Sequence, residues 1–319
     1  LKGSGIPYQF NTWTGKITPI AKYSSDGNTV TVDLSLSGND STIIVLMDEP
    51  LKDVATATSS DIKVAYNEND QLIAIGSNQE ANVVLSDGKQ VAISLPQAQD
   101  SFVIDNWDLT IESWLPGDNP TSTKKEYLEF ADLKQLVPWN QLDGCQDVSG
   151  IGTYKATFEV DQGWQEGSGA YLDLDTITDT YELLINGQTI PVNQIDTLVD
   201  IGPYLNSGTN TIEVKVASTL LNAVLAVNQD DDRDGDEYGI LNDVTVIPYN
   251  YTLVNQEITN DETDEVIDDS QSQVDDQTSD QVTKQQTKKV ATGDETMFTA
   301  ALLVLVASGI IIYQLKKRY

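Results

Sequence analysis

Short runs in which apolar and polar residues take turns recur along most of this chain. In NTIEVKV, Ile212, Val214 and Val216 alternate with Glu213 and Lys215. In NWDLTIESW, Trp107, Leu109 and Ile111 alternate with Asp108, Thr110 and Glu112, and in GTYKATFEV, Tyr154, Ala156, Phe158 and Val160 alternate with Lys155, Thr157 and Glu159. Strand side chains point to opposite faces with period two, so each run predicts a strand with one face buried. Val30, Val32, Leu34 and Leu36 predict another, and STIIVL, DIKVAY, QLIAIG and LNDVTVIPY add more. Asp87-Gly88 and Asn186-Gly187 stand between runs and suit the positive φ of tight hairpins. ADLKQL reads as a single short helical turn. Many short strands with regular turns predict an all-β chain: a β-sandwich over residues 1–100 and a jelly roll over 101–250.

Charge narrows the function. Fifty acidic residues against 18 basic ones give a net charge of −32, which repels phosphate backbones and excludes nucleic acid as a partner. Histidine is absent, so no Ser-His-Asp or Cys-His nucleophile and no histidine-bearing metal site can be built. Cys145 is the only cysteine and reads as a small packed residue, since it has no base partner.

The end of the chain has a different composition. Residues 251–289 are crowded with Asp, Glu, Gln, Ser and Thr and read as a disordered acidic linker. From Met297 to Leu315 no charge interrupts an apolar run long enough to cross a hydrocarbon layer of about 30 Å as one transmembrane helix. Lys316, Lys317 and Arg318 follow, and basic residues stay on the cytoplasmic side, so the preceding chain is expected outside the cell. Thr292-Gly293, a short spacer, the apolar segment and the basic stub together resemble the sorting signal of Gram-positive wall-anchored proteins. The family pattern is Leu-Pro-x-Thr-Gly, and this chain has Lys289-Val290-Ala291-Thr292-Gly293. The resemblance implies cleavage between Thr292 and Gly293 by a sortase, with peptidoglycan as acceptor, over a signal spanning 290–319. A plain membrane anchor is the simpler alternative. Export needs a leader, and Leu1 is followed by none; the leader is expected to lie upstream or to have been removed.

SGIGTYKATFEV, AYLDLDTITDTYELLINGQ and VDIGPYLNSGTNTIEVKV stand in the order seen in the sugar-binding, galactose-binding-like jelly roll of family 2 glycoside hydrolases, which they resemble. STLLN and EYGILNDVTVIPY extend the resemblance toward α-L-rhamnosidase-like hydrolases, with Asn242 where that pattern usually has glycine. Trp13-Thr14-Gly15 is similar to the start of the β-sandwich that follows the catalytic barrel in the same enzymes. The resemblance implies a catalytic domain upstream of Leu1 and a chain that supports or orients carbohydrate hydrolysis without performing it. A free-standing wall-anchored carbohydrate-binding protein or adhesin is the alternative.

No catalytic residue is assigned. A glycosidase needs two carboxylates flanking the scissile bond, and Glu112, Glu159 and Glu213 fall on the polar faces of their strands. In NQDDDRDGDEYG, Asp230, Asp232 and Asp234 reproduce the opening of a calcium loop, with Glu237 as a further oxygen ligand and Leu241 where the bidentate glutamate belongs. The cofactor expectation stays open between none and Ca²⁺, the loop serving otherwise as an exposed acidic turn. Trp139 and Trp164, near loops, are the candidates for stacking on glycans, with packing as the competing role.

Overall fold

The computed structural model describes residues 1–254 apart from 53, 120 and 229–231. Residues 255–289 of the expected linker, Thr292, Gly293 and the 297–315 segment lie outside the described residues, whereas residues 251–254 continue the folded part, through the end of β20 and Val254. Among the described residues no helix is long and apolar enough to cross a membrane. These residues fall within one compact unit.

The first part is made of short strands: Ile6–Phe10 (β1), Ile17–Pro19 (β2), Tyr23–Ser25 (β3), Val30–Val32 (β4) and Ile43–Met47 (β5). Ala57–Ser60 (β6), Lys63–Tyr66 (β7), Leu72–Gly76 (β8), Gln79–Leu85 (β9) and Gln90–Leu95 (β10) follow. The second part opens with Phe102–Val103 (β11), Trp107–Pro116 (β12), Thr123–Leu133 (β13), Gly150–Val160 (β14) and Ser168–Asp173 (β15). It continues with Thr180–Ile185 (β16), Gln188–Ile190 (β17), Leu198–Asp200 (β18), Gly208–Ala217 (β19), the helix Leu221–Val227 (α1) and Thr245–Leu253 (β20).

One sheet of the second part has the order β13-β12-β14-β19-β16-β17, all antiparallel. Its predicted alternation is met: Leu109, Ile111, Tyr154, Phe158, Val214 and Leu183 face inward and are buried. The opposing layer has the order β18-β15-β20-β8-β7, with β11 also on β20. Ala170, Leu172, Val199 and Val246 close the core from that side, giving a two-sheet sandwich. Trp107 is buried as expected and stands edge-on to Tyr154, ring centroids 6.3 Å apart. Cys145 is packed in the same core, and burial raises its thiol pKa.

The second layer crosses the expected boundary at residue 100. β8 belongs to the first part, and Ile73–Gly76 pair with Asn250–Leu253 of β20. Leu72 and Ala74 face a small core shared with Val83, Ile93 and Leu95, which Val254 completes. Ile73 and Ile75 face the other way, onto Tyr249. A strand covered on both faces needs apolar residues at successive positions, which accounts for the unbroken run LIAIG.

Local expectations were met unevenly. Asn186 and Gly187 both take positive φ, 50° and 75°, as a two-residue hairpin between β16 and β17 requires. At Asp87-Gly88 only Gly88 does, at 86°, in a longer turn in which its amide donates to the Leu85 carbonyl. ADLKQL is not a helical turn, because Ala131–Leu133 finish β13 and the Asp132 amide is held by the Asp108 carboxylate. The alternation at Val30 ends at Val32, and Leu34 and Leu36 are exposed.

Candidate functional site

Where β8 meets β20, the face of the shared sheet turned away from the small core carries tyrosines. Tyr249 and Tyr251 are two residues apart on β20, and Tyr171 lies beside Tyr249 on the neighbouring β15, ring centroids 4.8 Å apart. Two glycines make this packing possible. A methyl group on Gly169 would come within 2.3 Å of the Tyr249 ring, and one on Gly202 within 2.9 Å of the Gly169 Cα. The 3₁₀ turn Gly202–Tyr204 can therefore sit directly against β15, delivering Asp200 and Tyr204 to the same place.

The Tyr249 hydroxyl lies 3.0 Å from each oxygen of Asp200, and the Gly202 amide donates to Oδ1 at 3.1 Å. Asp200 is exposed as a residue, while its carboxyl group sits against Tyr249 and the Gly202 turn. That packing strips water from the carboxyl and raises its pKa above the ordinary carboxylate value, with the two hydrogen bonds pulling the other way. Burial, and then the Asp200 charge, push the Tyr249 phenol up. Lys63 Nζ donates to the Tyr171 hydroxyl at 2.6 Å and stands 4.4 Å from the ring centroid.

These residues line a cavity of about 390 Å³ that also reaches Glu68. A second cavity of about 510 Å³ is lined by Trp13, Asp40, Asn193 and Asp196, and it meets the first at Lys16, Asp200 and Tyr204. Both volumes fall in the range of small-ligand sites, roughly 300–1,000 Å³. Trp13 is 44% exposed on a turn in which Asn11 Oδ1 accepts from the Trp13 and Thr14 amides, each at 3.0 Å. Asp40 accepts from Asn193 Nδ2 at 2.8 Å. Desolvation opposes its ionisation, but hydrogen bonds from the Ser41 amide, Asn193 and Trp13 outweigh it and hold its pKa below the usual value. The two cavities form one trough along the junction of the two β parts.

The sequence-nominated residues are placed elsewhere. Trp139 is fully buried: its Nε1 donates to the Tyr154 hydroxyl at 2.7 Å, and its ring lies over Gly152, where a methyl group would come within 2.4 Å. No face is left to stack on a sugar, so Trp139, expected as a glycan-stacking candidate, is a core residue instead. Trp164 is half-buried and lines a separate cavity of about 200 Å³ with Gln97, Asp161 and Asn250. Asp230 lies outside the described residues. Asp232, Asp234 and Glu237 are exposed, and among the described residues no cluster of three acidic or sulfur ligands could hold a metal. Asn222 of α1 fixes the described part of that loop, its side chain bonding both the amide and the carbonyl of Asp236 at 2.8 Å.

Glu112, Glu159 and Glu213 stay on the outer face. Lys125 lies 2.6 Å from Glu112 and, with Trp114 and Tyr127, lowers its pKa. Lys155 and Lys215 lie 3.2 and 3.3 Å from Glu213. Several trough residues lie in stretches quoted for the family resemblance, Trp13 in Trp13-Thr14-Gly15 and Asp200 and Tyr204 in VDIGPYLN, but no local pattern marked them as sharing a site.

Residues 128–248 match the family model described as the sugar binding domain of family 2 glycosyl hydrolases. That range holds most of the sandwich together with Tyr171, Asp200 and Tyr204. The fold is similar to that of a rhamnosidase from Novosphingobium sp. PP1Y, with 21% identity, 78% of this chain and 21% of that chain covered, and a TM-score of 0.49. A β-D-glucuronidase from Dictyoglomus thermophilum has 18% identity over 48% of this chain and 28% of its own, TM-score 0.32. A family 2 glycosyl hydrolase from Bacteroides cellulosilyticus DSM 14838 has 18% identity over 47% of this chain and 21% of its own, TM-score 0.30. This chain thus spans between a fifth and three tenths of the length of those enzymes. No curated protein sequence matches it.

Proposed function

We propose that this chain is the non-catalytic, carbohydrate-recognising portion of a multimodular glycoside hydrolase displayed on the cell surface. The match of residues 128–248 to a sugar binding domain carries the reading. In it, the jelly roll is of the galactose-binding type, an attached catalytic domain does the hydrolysis, and Thr292-Gly293 with the apolar segment after it directs wall anchoring by a sortase. Three carboxylates of the described sandwich are already engaged. Glu112 and Glu213 are engaged by lysines on the outer face, and Asp200 accepts the one Tyr249 hydroxyl proton, both its oxygens lying 3.0 Å from that hydroxyl. Glu68 shares the trough with Asp200, so catalysis by this pair is the competing possibility.

The test is to recover the intact protein from the cell surface and assay it on aryl glycosides beside the 319-residue chain. Hydrolysis by the intact protein and none by the chain is expected. Activity of the chain that is lost in Asp200→Asn would make the trough an active site. Absence of hydrolysis from the intact protein would favour a wall-anchored adhesin. Release from cells by wall-digesting enzyme, and not by detergent alone, is the expected sign of sortase anchoring.

A further inference from the structure

The geometry points to the trough between the two β parts as a binding site for an uncharged oligosaccharide, selective against acidic glycans of the same length. This rests on the carbohydrate reading above and adds the place and the ligand class.

Three observations carry it. First, the trough is lined by aromatic side chains from both parts: Trp13 on its turn from the first, and Tyr204 and Tyr251 from the second, while Tyr171 is covered by Tyr249 and Lys63. Sugar rings present weakly positive C–H faces, and the negative face of an aromatic ring complements them. Second, hydrogen-bonding groups of both kinds lie between those faces. Lys16 and Asn193 can donate and Asp200 can accept, as a ligand covered in hydroxyl groups requires. Lys16 is exposed, lines both cavities and has no carboxylate within ion-pair distance among the described residues.

Third, the charges in the trough are unequal. Asp40, Asp196, Asp200 and Glu68 face only Lys16 and Lys63, on a chain of net charge −32. A uronate would add a carboxylate to a site already rich in them, at a cost in a partly desolvated cleft. Two adjoining cavities of about 510 and 390 Å³ that share Lys16, Asp200 and Tyr204 suit several linked rings better than one. The Trp164 cavity is smaller, about 200 Å³, and has a single large aromatic beside Tyr249.

The experiment is calorimetric titration of the full 319-residue chain with galactose-built and galacturonate-built hexasaccharides, which differ in oxidation at C6, followed by neutral hexasaccharides of glucose, xylose and mannose. Binding of at least one neutral hexamer, with the galacturonate hexamer at least tenfold weaker than the galactose hexamer, is expected. Trp13→Ala and Lys16→Ala, both exposed positions, are each expected to weaken binding about tenfold, with Trp164→Ala unchanged. Equal or tighter binding of the acidic hexamer overturns the charge selection. Binding that survives Trp13→Ala and Lys16→Ala but is lost in Trp164→Ala overturns the location while leaving the carbohydrate reading intact. If no neutral hexamer binds, the trough proposal falls, and the hydrolase reading still stands or falls by the assay of the intact protein.

Discussion

Residues 1–98 and residues 102–253 are both antiparallel β structure, but they enclose very different interiors. In the second part β12, β13, β14 and β19 run 10 or 11 residues each, and their inner faces bury Trp107, Trp139, Tyr154 and Tyr238. In the first part no strand exceeds the seven residues of β9, and the core holds Ala57, Ala74 and Ala81 among aliphatics, with Tyr66 packed at its margin. That smaller core is completed by Val254, from beyond the end of the second part, and its strand β8 is paired by β20. The difference teaches that a chain segment can look like a domain in sequence and still depend on a strand that arrives much later. The larger sandwich supplies its own centre; the smaller one borrows an edge.

The largest expected effect is at that centre. Trp139→Ala should cost about 3–5 kcal/mol, a large share of a typical domain's stability of roughly 5–15 kcal/mol. Differential scanning calorimetry with a second, local probe on the first part should show both parts melting together, because they share a sheet. Two separated transitions would break the dependence argued above. Val254→Ala tests the same link from the other side. It should remove about 1.5–3 kcal/mol of burial from the first part's core, read as a lower denaturant midpoint. An unchanged midpoint would show that residues 1–98 hold together unaided.

Tyr154→Phe asks how much of the larger core is polar bookkeeping. Its hydroxyl accepts from Trp139 Nε1 at 2.7 Å and from the Ile240 amide at 3.2 Å, so removing it orphans two buried donors. A loss of about 1–3 kcal/mol in urea denaturation is expected, with little change in slope. A near-neutral result would mean that the donors find other partners.

The smallest effect concerns pH at the junction. The Asp200 pKa is raised in the folded chain, so the fold favours the neutral carboxyl. Its contribution is present below the unfolded value of about 3.9 and fades as pH rises through the raised folded value. Asp40, whose pKa is lowered, does the opposite: its contribution is present above the unfolded value and is lost as pH falls through the folded one. Melting temperatures of the parent and Asp200→Asn, followed from about pH 3 to 7, should diverge in the first of these windows. Parallel profiles would remove Asp200 from the account.

Alternation made the sandwich strands legible, because period two reports directly which face is buried. It could not report the partner. QLIAIG reads as a strand on sight, but nothing within it says that the chain around residue 250 lies alongside. Leu34 and Leu36 continue the pattern of Val30 and Val32 without joining a ladder; their neighbour Asp33 turns instead to Lys22 at 2.8 Å. The helix α1 was missed because LNAVLAV is under two turns long and has no capping side chain. Trp139 shows the same limit at a single residue. Its place near a loop was readable, but the recess that buries it is made by Gly152 and by Gly239, nearly ninety positions apart in the chain. The trough is harder still, since Trp13, Lys63, Tyr171, Asp200 and Tyr249 come together only once both parts have folded.

The pairing of β8 with β20 also sets a clock on biosynthesis. Roughly 180 residues separate the two strands, and at about 5–20 residues per second the ribosome needs on the order of ten to thirty-five seconds to make them. Throughout that interval Ile73 and Ile75 lack the cover of Tyr249, and one edge of LIAIG lacks its neighbour β20. Such an edge is a template for pairing with another nascent copy. The first hundred residues therefore have to wait, shielded, for a strand that closes them only after everything else in the sandwich has been synthesised.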